Sequence, residues 1–108
     1  MNRPLRPLPA DRARGAFLRA LKPLAGPFAL IAADSRPWAS ATFEGARHRL
    51  ALKLEGDDVA ERAKRLQATL GEADLSIAGG FVADIVVEMP TEDHGLVLGI
   101  EALTIDEA

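Results

Sequence analysis

A chain of 108 residues, 48% hydrophobic and 27% charged, makes one ordinary domain with a modest core, and its composition is that of a globular chain and not of a disordered one. The absence of cysteine excludes a disulfide framework and thiolate chemistry, and with two histidines a zinc site would have to draw on carboxylates as well. The net charge of −3 hides a division: residues 1–54 hold ten Lys/Arg against three Asp/Glu, residues 55–108 hold three against thirteen, and no Lys or Arg follows Arg65. The simplest consequence is attraction between the two halves, within one fold or one oligomer. A dedicated nucleic-acid domain would be basic overall.

The opening "MNRPLRPLP" carries prolines at 4, 7 and 9 and reads as an extended arm over residues 1–10, ahead of a single domain over 11–108. Residues 11–22 predict a helix capped by Asp11, with Ala13, Phe17, Ala20, Leu21 and Leu24 near one face and an end imposed by Pro23. Arg3, Arg6, Arg12, Arg14, Arg19 and Lys22 lie on the arm and this helix, and such a stripe could meet phosphates. It has no interleaved aromatics for stacking, so a nucleic-acid accessory role ranks behind the readings below. "LAGPFALIAA" followed by "ASA" has the look of a secretory leader. The long basic region before it and the break at Gly26-Pro27 argue against that, and no run approaches the ~20 apolar residues of a membrane span. The expectation is a cytoplasmic protein with no membrane association.

Three strands are predicted next: Phe28–Ala33, Trp38–Phe43 after a "DSRP" turn, and Arg47–Leu54, where Leu50, Leu52 and Leu54 alternate with Arg49, Ala51 and Lys53. "EGA" (44–46) would join the last two. A helix over 58–70 follows, with Asp58 and Glu61 as a capping box, Asp58–Arg62 and Glu61–Arg65 as acid-then-base pairs, Val59, Ala63, Leu66 and Leu70 as its apolar stripe and Gly71 as its exit. Leu75–Ala78 and Phe81–Glu88 would form a hairpin about Gly79-Gly80, and Leu96–Ile105 is the last strand.

"HRLALKLE" (48–55) is echoed by "HGLVLGIE" (94–101) at an offset of 46 residues. Leu21 and Leu66, Gly26 and Gly71, Trp38 and Phe81 hold matching places. The pattern predicts an internal duplication of αβββ units over 11–56 and 57–105. The expected fold is α+β: a two-layer sandwich in which both helices cover one face of a six-stranded, mainly antiparallel sheet.

Alternation then leaves a second face carrying Phe43, Arg49, Ala51, Lys53, Val82, Asp84, Val86, Glu88, Val97 and Glu101. Arg49 and Lys53 would attract Asp84 and Glu88 across strands. The face is too apolar to be simply wet, and it predicts a surface for a second copy or a protein partner. The resulting functional expectation is a non-enzymatic interaction module. The runner-up is a small-molecule binder or enzyme with a site on the same face around Asp84, Arg49 and Trp38.

Other chemistry is thin. His48 and His94, with Glu44, Glu92 or Asp93, could hold a metal or move protons, but each reads as a strand start beside a turn, and there is no HExxH. Ser35 has no histidine partner placed by sequence. Asp84, inside "FVADIVVEM", could be a buried acid or base, though an open-face carboxylate is the plainer reading. No catalytic residue, metal or cofactor is assigned.

Overall fold

The computed structural model describes residues 9–89 and 97–107; Arg3, Arg6, Glu92, Asp93, His94 and Leu96 lie outside them. The chain runs α1 (Pro9–Ala25), β1 (Phe28–Ala39), β2 (Glu44–Leu54), α2 (Val59–Thr69), a 3-10 turn (Leu70–Glu72), β3 (Ser76–Ile77), β4 (Gly80–Glu88) and β5 (Val97–Asp106). The strands form one antiparallel sheet in the order β1-β2-β5-β4-β3, so the chain is α+β, with five strands among the described residues where six were expected.

The missing strand is a merger. The sequence separates Phe28–Ala33 from Trp38–Phe43 because "DSRP" resembles a turn. In the structure the chain passes straight through it as β1, twelve residues long and paired with β2 from Phe28↔Leu54 to Ala39↔Glu44. Pro37 is tolerated because β1 is an edge strand, where a missing N–H need not break a ladder. The hairpin turn falls earlier than expected: Ser40 Oγ accepts from the amides of Thr42 and Phe43 at 3.4 and 3.1 Å. "EGA" is therefore the start of β2.

The helices also depart from expectation at their ends. α1 begins at Pro9 and passes through Pro23 to Ala25, and Gly26 at φ 73 makes the exit. Arg62 of α2 explains that extension. Its guanidinium donates to Ala25 O at 2.9 and 3.1 Å, Pro27 O at 2.7 Å, Glu55 O at 2.6 Å and Asp57 O at 3.0 Å. It thus caps the carboxyl end of α1 and clamps the loop that follows β2. The capping box is not formed: Asp58 sits at φ 57 with no side-chain cap bond, and Arg62 is spent on carbonyls. Gly71 lies in the 3-10 turn instead of a left-handed exit. The β3–β4 hairpin turns on Ala78-Gly79, with Ile77 opposite Gly80.

The core is built as the periodicity predicts. Phe17 and Leu21 of α1, Ala63 and Leu66 of α2 and Leu70 pack with Leu50, Leu52 and Leu54 of β2, Leu98, Ile100 and Ala102 of β5, and Ile85. Burial of each large member contributes about 1.5–3 kcal/mol. Leu24, expected on the α1 stripe, is 48% exposed. Ala10 and Ala13 instead form a small cluster with Ala46, where short side chains let the helix approach β2 closely. No helix among the described residues is long and apolar enough to cross a membrane.

Candidate functional site

Even-numbered side chains of β2 and β5 point into the core, so the odd-numbered ones stand on the opposite face. Register makes rows across it. Asp34, Arg49, Glu101 and Val86 form one row; Arg36, Arg47, Leu103 and Asp84 the next; Ala32, Ala51, Gly99 and Glu88 the row on the other side. Lys53 stands beside Val97. Arg36, Arg47, Arg49, Lys53, Asp84 and Glu88 are exposed, and Val86 is 47% exposed. The rows surround a hollow of about 320 Å³ with Arg36, Arg47, Arg49, Asp84, Val86 and Glu101 in its wall, continuous in rows with a second one over Ala51 and Gly99. Trp38, expected at such a pocket, lies one row farther along β1, opposite Gly45.

Eight of the ten residues expected on this face share it: Arg49, Ala51, Lys53, Asp84, Val86, Glu88, Val97 and Glu101. Two do not. Phe43 lies in the β1–β2 turn, 52% exposed. Val82 packs against the core, because a bulge between Val82 and Asp84 inserts Ala83 and reverses the alternation before it. The same bulge takes Phe81 off the core phase and sets it beside Ile105.

The cross-strand attraction also differs in its partners. Arg49 donates to Glu101, Nη2 to Oε1 at 3.0 Å and Nε to the same oxygen at 3.1 Å, and not to Asp84 or Glu88. β5 lies between β2 and β4, so the carboxylates of β4 are two strands away. Arg36 pairs along its own strand with Asp34 at 3.0 Å. Arg47, Lys53, Asp84 and Glu88 form no ion pair among the described residues. Asp84 is exposed, so it is not the buried acid or base that its apolar strand allowed.

His48 is the residue that sequence reasoning placed worst. β2 starts four residues before it, and His48 is in phase with Leu50 and Leu52, 2% exposed. Ser35 Oγ stands 2.8 Å from its Nδ1 and Thr104 Oγ1 2.9 Å from its Nε2. Arg14 Nη1 donates to Ser35 Oγ at 3.2 Å, and the Thr104 hydroxyl donates to Ala46 O at 3.4 Å. Donors and acceptors balance if His48 is neutral with its proton on Nε2: Ser35 O–H donates to Nδ1, and Nε2–H donates to Thr104. The Phe17 ring stacks on the imidazole at 6.2 Å between centroids. Burial, and after it the Arg14 charge, push the His48 pKa below its ordinary value. A hydroxyl beside an imidazole is the geometry of an activated nucleophile. Here no carboxylate orients the ring, the imidazole is closed off from water, and every polar atom is spent within the network. The signal for it was present: His48 continues the Leu50–Leu52–Leu54 phase.

Arg14 is consequently turned inward from the basic stripe, also meeting Asp11 at 3.4 Å. Arg12, Arg19 and Lys22 remain exposed on α1. The hollow that Arg12 and Arg19 line is shared with Asp11, Asp106 and Glu107, so its charge is mixed. Among the described residues no group of three or more His, Asp or Glu is placed to hold a metal ion. No family model, curated protein or solved structure matches the chain.

Proposed function

We propose that this protein is a small, non-enzymatic interaction module that meets another protein surface with its uncovered sheet face. One observation carries the reading: Val86 lies exposed and Val97, Leu103 and Ala51 half-buried on a face whose Arg47, Lys53, Asp84 and Glu88 are exposed and have no ion pair among the described residues. An apolar centre with a charged surround is the anatomy of a protein contact. The hydroxyl–imidazole pair that could have supported an enzyme faces the other way and is internally satisfied. A cysteine-free chain fits a reducing cytoplasm. We read the fold behind the face as a two-layer sandwich that arose by duplication. The sheet order β1-β2-β5-β4 is symmetric about the β2–β5 seam, each half supplying a helix and a hairpin, with β3 as an addition to the second.

Photo-crosslinking in intact cells tests this. A crosslinking side chain at position 86 should give protein adducts, and one at Lys64, exposed on α2, should give none. Position 86 silent, or equal to position 64, overturns the reading.

The hollow favours one second reading, an anionic small molecule held by Arg47, the cation of its wall without an ion pair among the described residues, Arg36 and Arg49 being paired with Asp34 and Glu101. A rise in melting temperature with inorganic pyrophosphate that Arg47→Gln removes would support it, and no rise would end it.

A further inference from the structure

On the reading that the sheet face is an interaction surface, we infer that its occupant is a second copy of this chain, docked face to face about a two-fold axis parallel to the strands along the β2–β5 seam.

The face is divided by charge along that seam. On β1 and β2 it presents Arg36, Arg47, Arg49 and Lys53 against one carboxylate, Asp34; on β5 and β4 it presents Asp84, Glu88 and Glu101 and no cation. A two-fold axis along the seam lays β2 over the partner's β5 and β1 over the partner's β4. In the rows, Arg36 then meets the partner's Asp84 and Arg49 meets the partner's Glu101. Every such contact occurs twice, because the interface is isologous. A two-fold axis across the strands would lay cations on cations, so the charge pattern selects one axis. The roughly 30° angle at which twisted sheets pack displaces individual contacts at the edges and leaves the basic half over the acidic half.

The single chain also leaves charges that this axis sets against the half of opposite sign, Asp84 directly on the partner's Arg36, and Arg47, Lys53 and Glu88 diagonal to an opposite charge. Arg36 and Arg47 stand opposite each other on neighbouring strands, and like charges so placed are unfavourable. Arg47 and Lys53 on one side, and Asp84 and Glu88 on the other, have no ion pair within the described residues. An unrelated partner would need the mirror of this division. A second copy carries it by construction, and within the seam the small pair Ala51 and Gly99 lets the partner's surface approach.

Charge reversal with mixing is the test. Arg36→Glu with Arg47→Glu makes the face acidic on both sides, and Asp84→Arg with Glu88→Arg makes it basic on both. Sedimentation should find the unaltered chain dimeric, more weakly so at high salt, and each reversed chain monomeric. An equimolar mixture of the two reversed chains should restore a 1:1 dimer, since each then meets its opposite. Restoration also proves that both variants fold; if either does not, the neutral Arg47→Gln and Glu88→Gln should each weaken the dimer at low salt. An unaltered chain that stays monomeric throughout overturns the second copy, while adducts from position 86 to a different protein would leave the broader reading standing. A dimer indifferent to both reversals, or no dimer on mixing, overturns the axis and the face together.

Discussion

Arg47, His48 and Arg49 are consecutive, yet they belong to opposite environments. His48 faces the helices and has each ring nitrogen bonded, to Ser35 at 2.8 Å and Thr104 at 2.9 Å. Its neighbours face water, and Arg47 has no partner at all among the described residues. The two sides of one strand therefore teach different lessons. On the covered side a polar group is retained only inside a closed network, since an unpaired one costs about 1–3 kcal/mol. On the open side unpaired charge costs little alone, and it becomes useful when another surface arrives.

Substitutions on the two sides should separate stability from association. The largest effect is expected in the core, where Phe17→Ala removes a fully buried ring stacked on His48 and should cost about 3–5 kcal/mol in chemical denaturation. Next comes the network. Thr104→Val keeps the shape but orphans the His48 Nε2–H, and should cost about 1–3 kcal/mol, whereas Val86→Arg on the open side should stay within about 0.5 kcal/mol. If Thr104→Val is as mild as Val86→Arg, the network contributes nothing. Arg62→Lys should follow at about 2 kcal/mol, because an ammonium cannot reach four carbonyls at once, and melting of the full chain reads it directly.

The pH response is the smallest and most diagnostic term. The folded His48 pKa is depressed, first by burial and then by Arg14, while Phe17, Ser35 and Thr104, the other groups around the ring, are uncharged, and Asp11 faces Arg14 from the other side. The unfolded chain therefore binds the proton more readily. Its contribution to stability is full above the unfolded value of about 6.5 and is lost as pH falls from there toward the folded pKa. Unfolding midpoints measured between neutral and mildly acid pH should fall for the natural chain and flatten for His48→Gln. Equal slopes would remove His48 as the cause.

How much of this was legible in sequence depended on whether one element sufficed to decide it. Leu50, Leu52 and Leu54 marked the inner face of β2, and Ala63, Leu66 and Leu70 the stripe of α2, because periods of two and 3.6 are local properties of the chain. Eight face residues were grouped correctly for the same reason. Val82 was misplaced because a one-residue bulge leaves no signature in "FVADIVVEM". The extension of α1 past Pro23 was unreadable because the cap on Ala25 comes from Arg62, thirty-seven residues away.

The sequence by itself determined the α+β class, the core-facing periodicity and the segregation of basic and acidic residues into halves. The tertiary structure alone decided that β5 would lie between β2 and β4, and so gave Arg49 to Glu101 and left Asp84 and Glu88 without ion pairs among the described residues. It also closed Arg14, Ser35, His48 and Thr104 into one chain of hydrogen bonds. The reason is physical: side-chain period is set by the backbone of each segment, whereas strand order and capping are set by contacts between segments, whose free energy no single window of sequence contains.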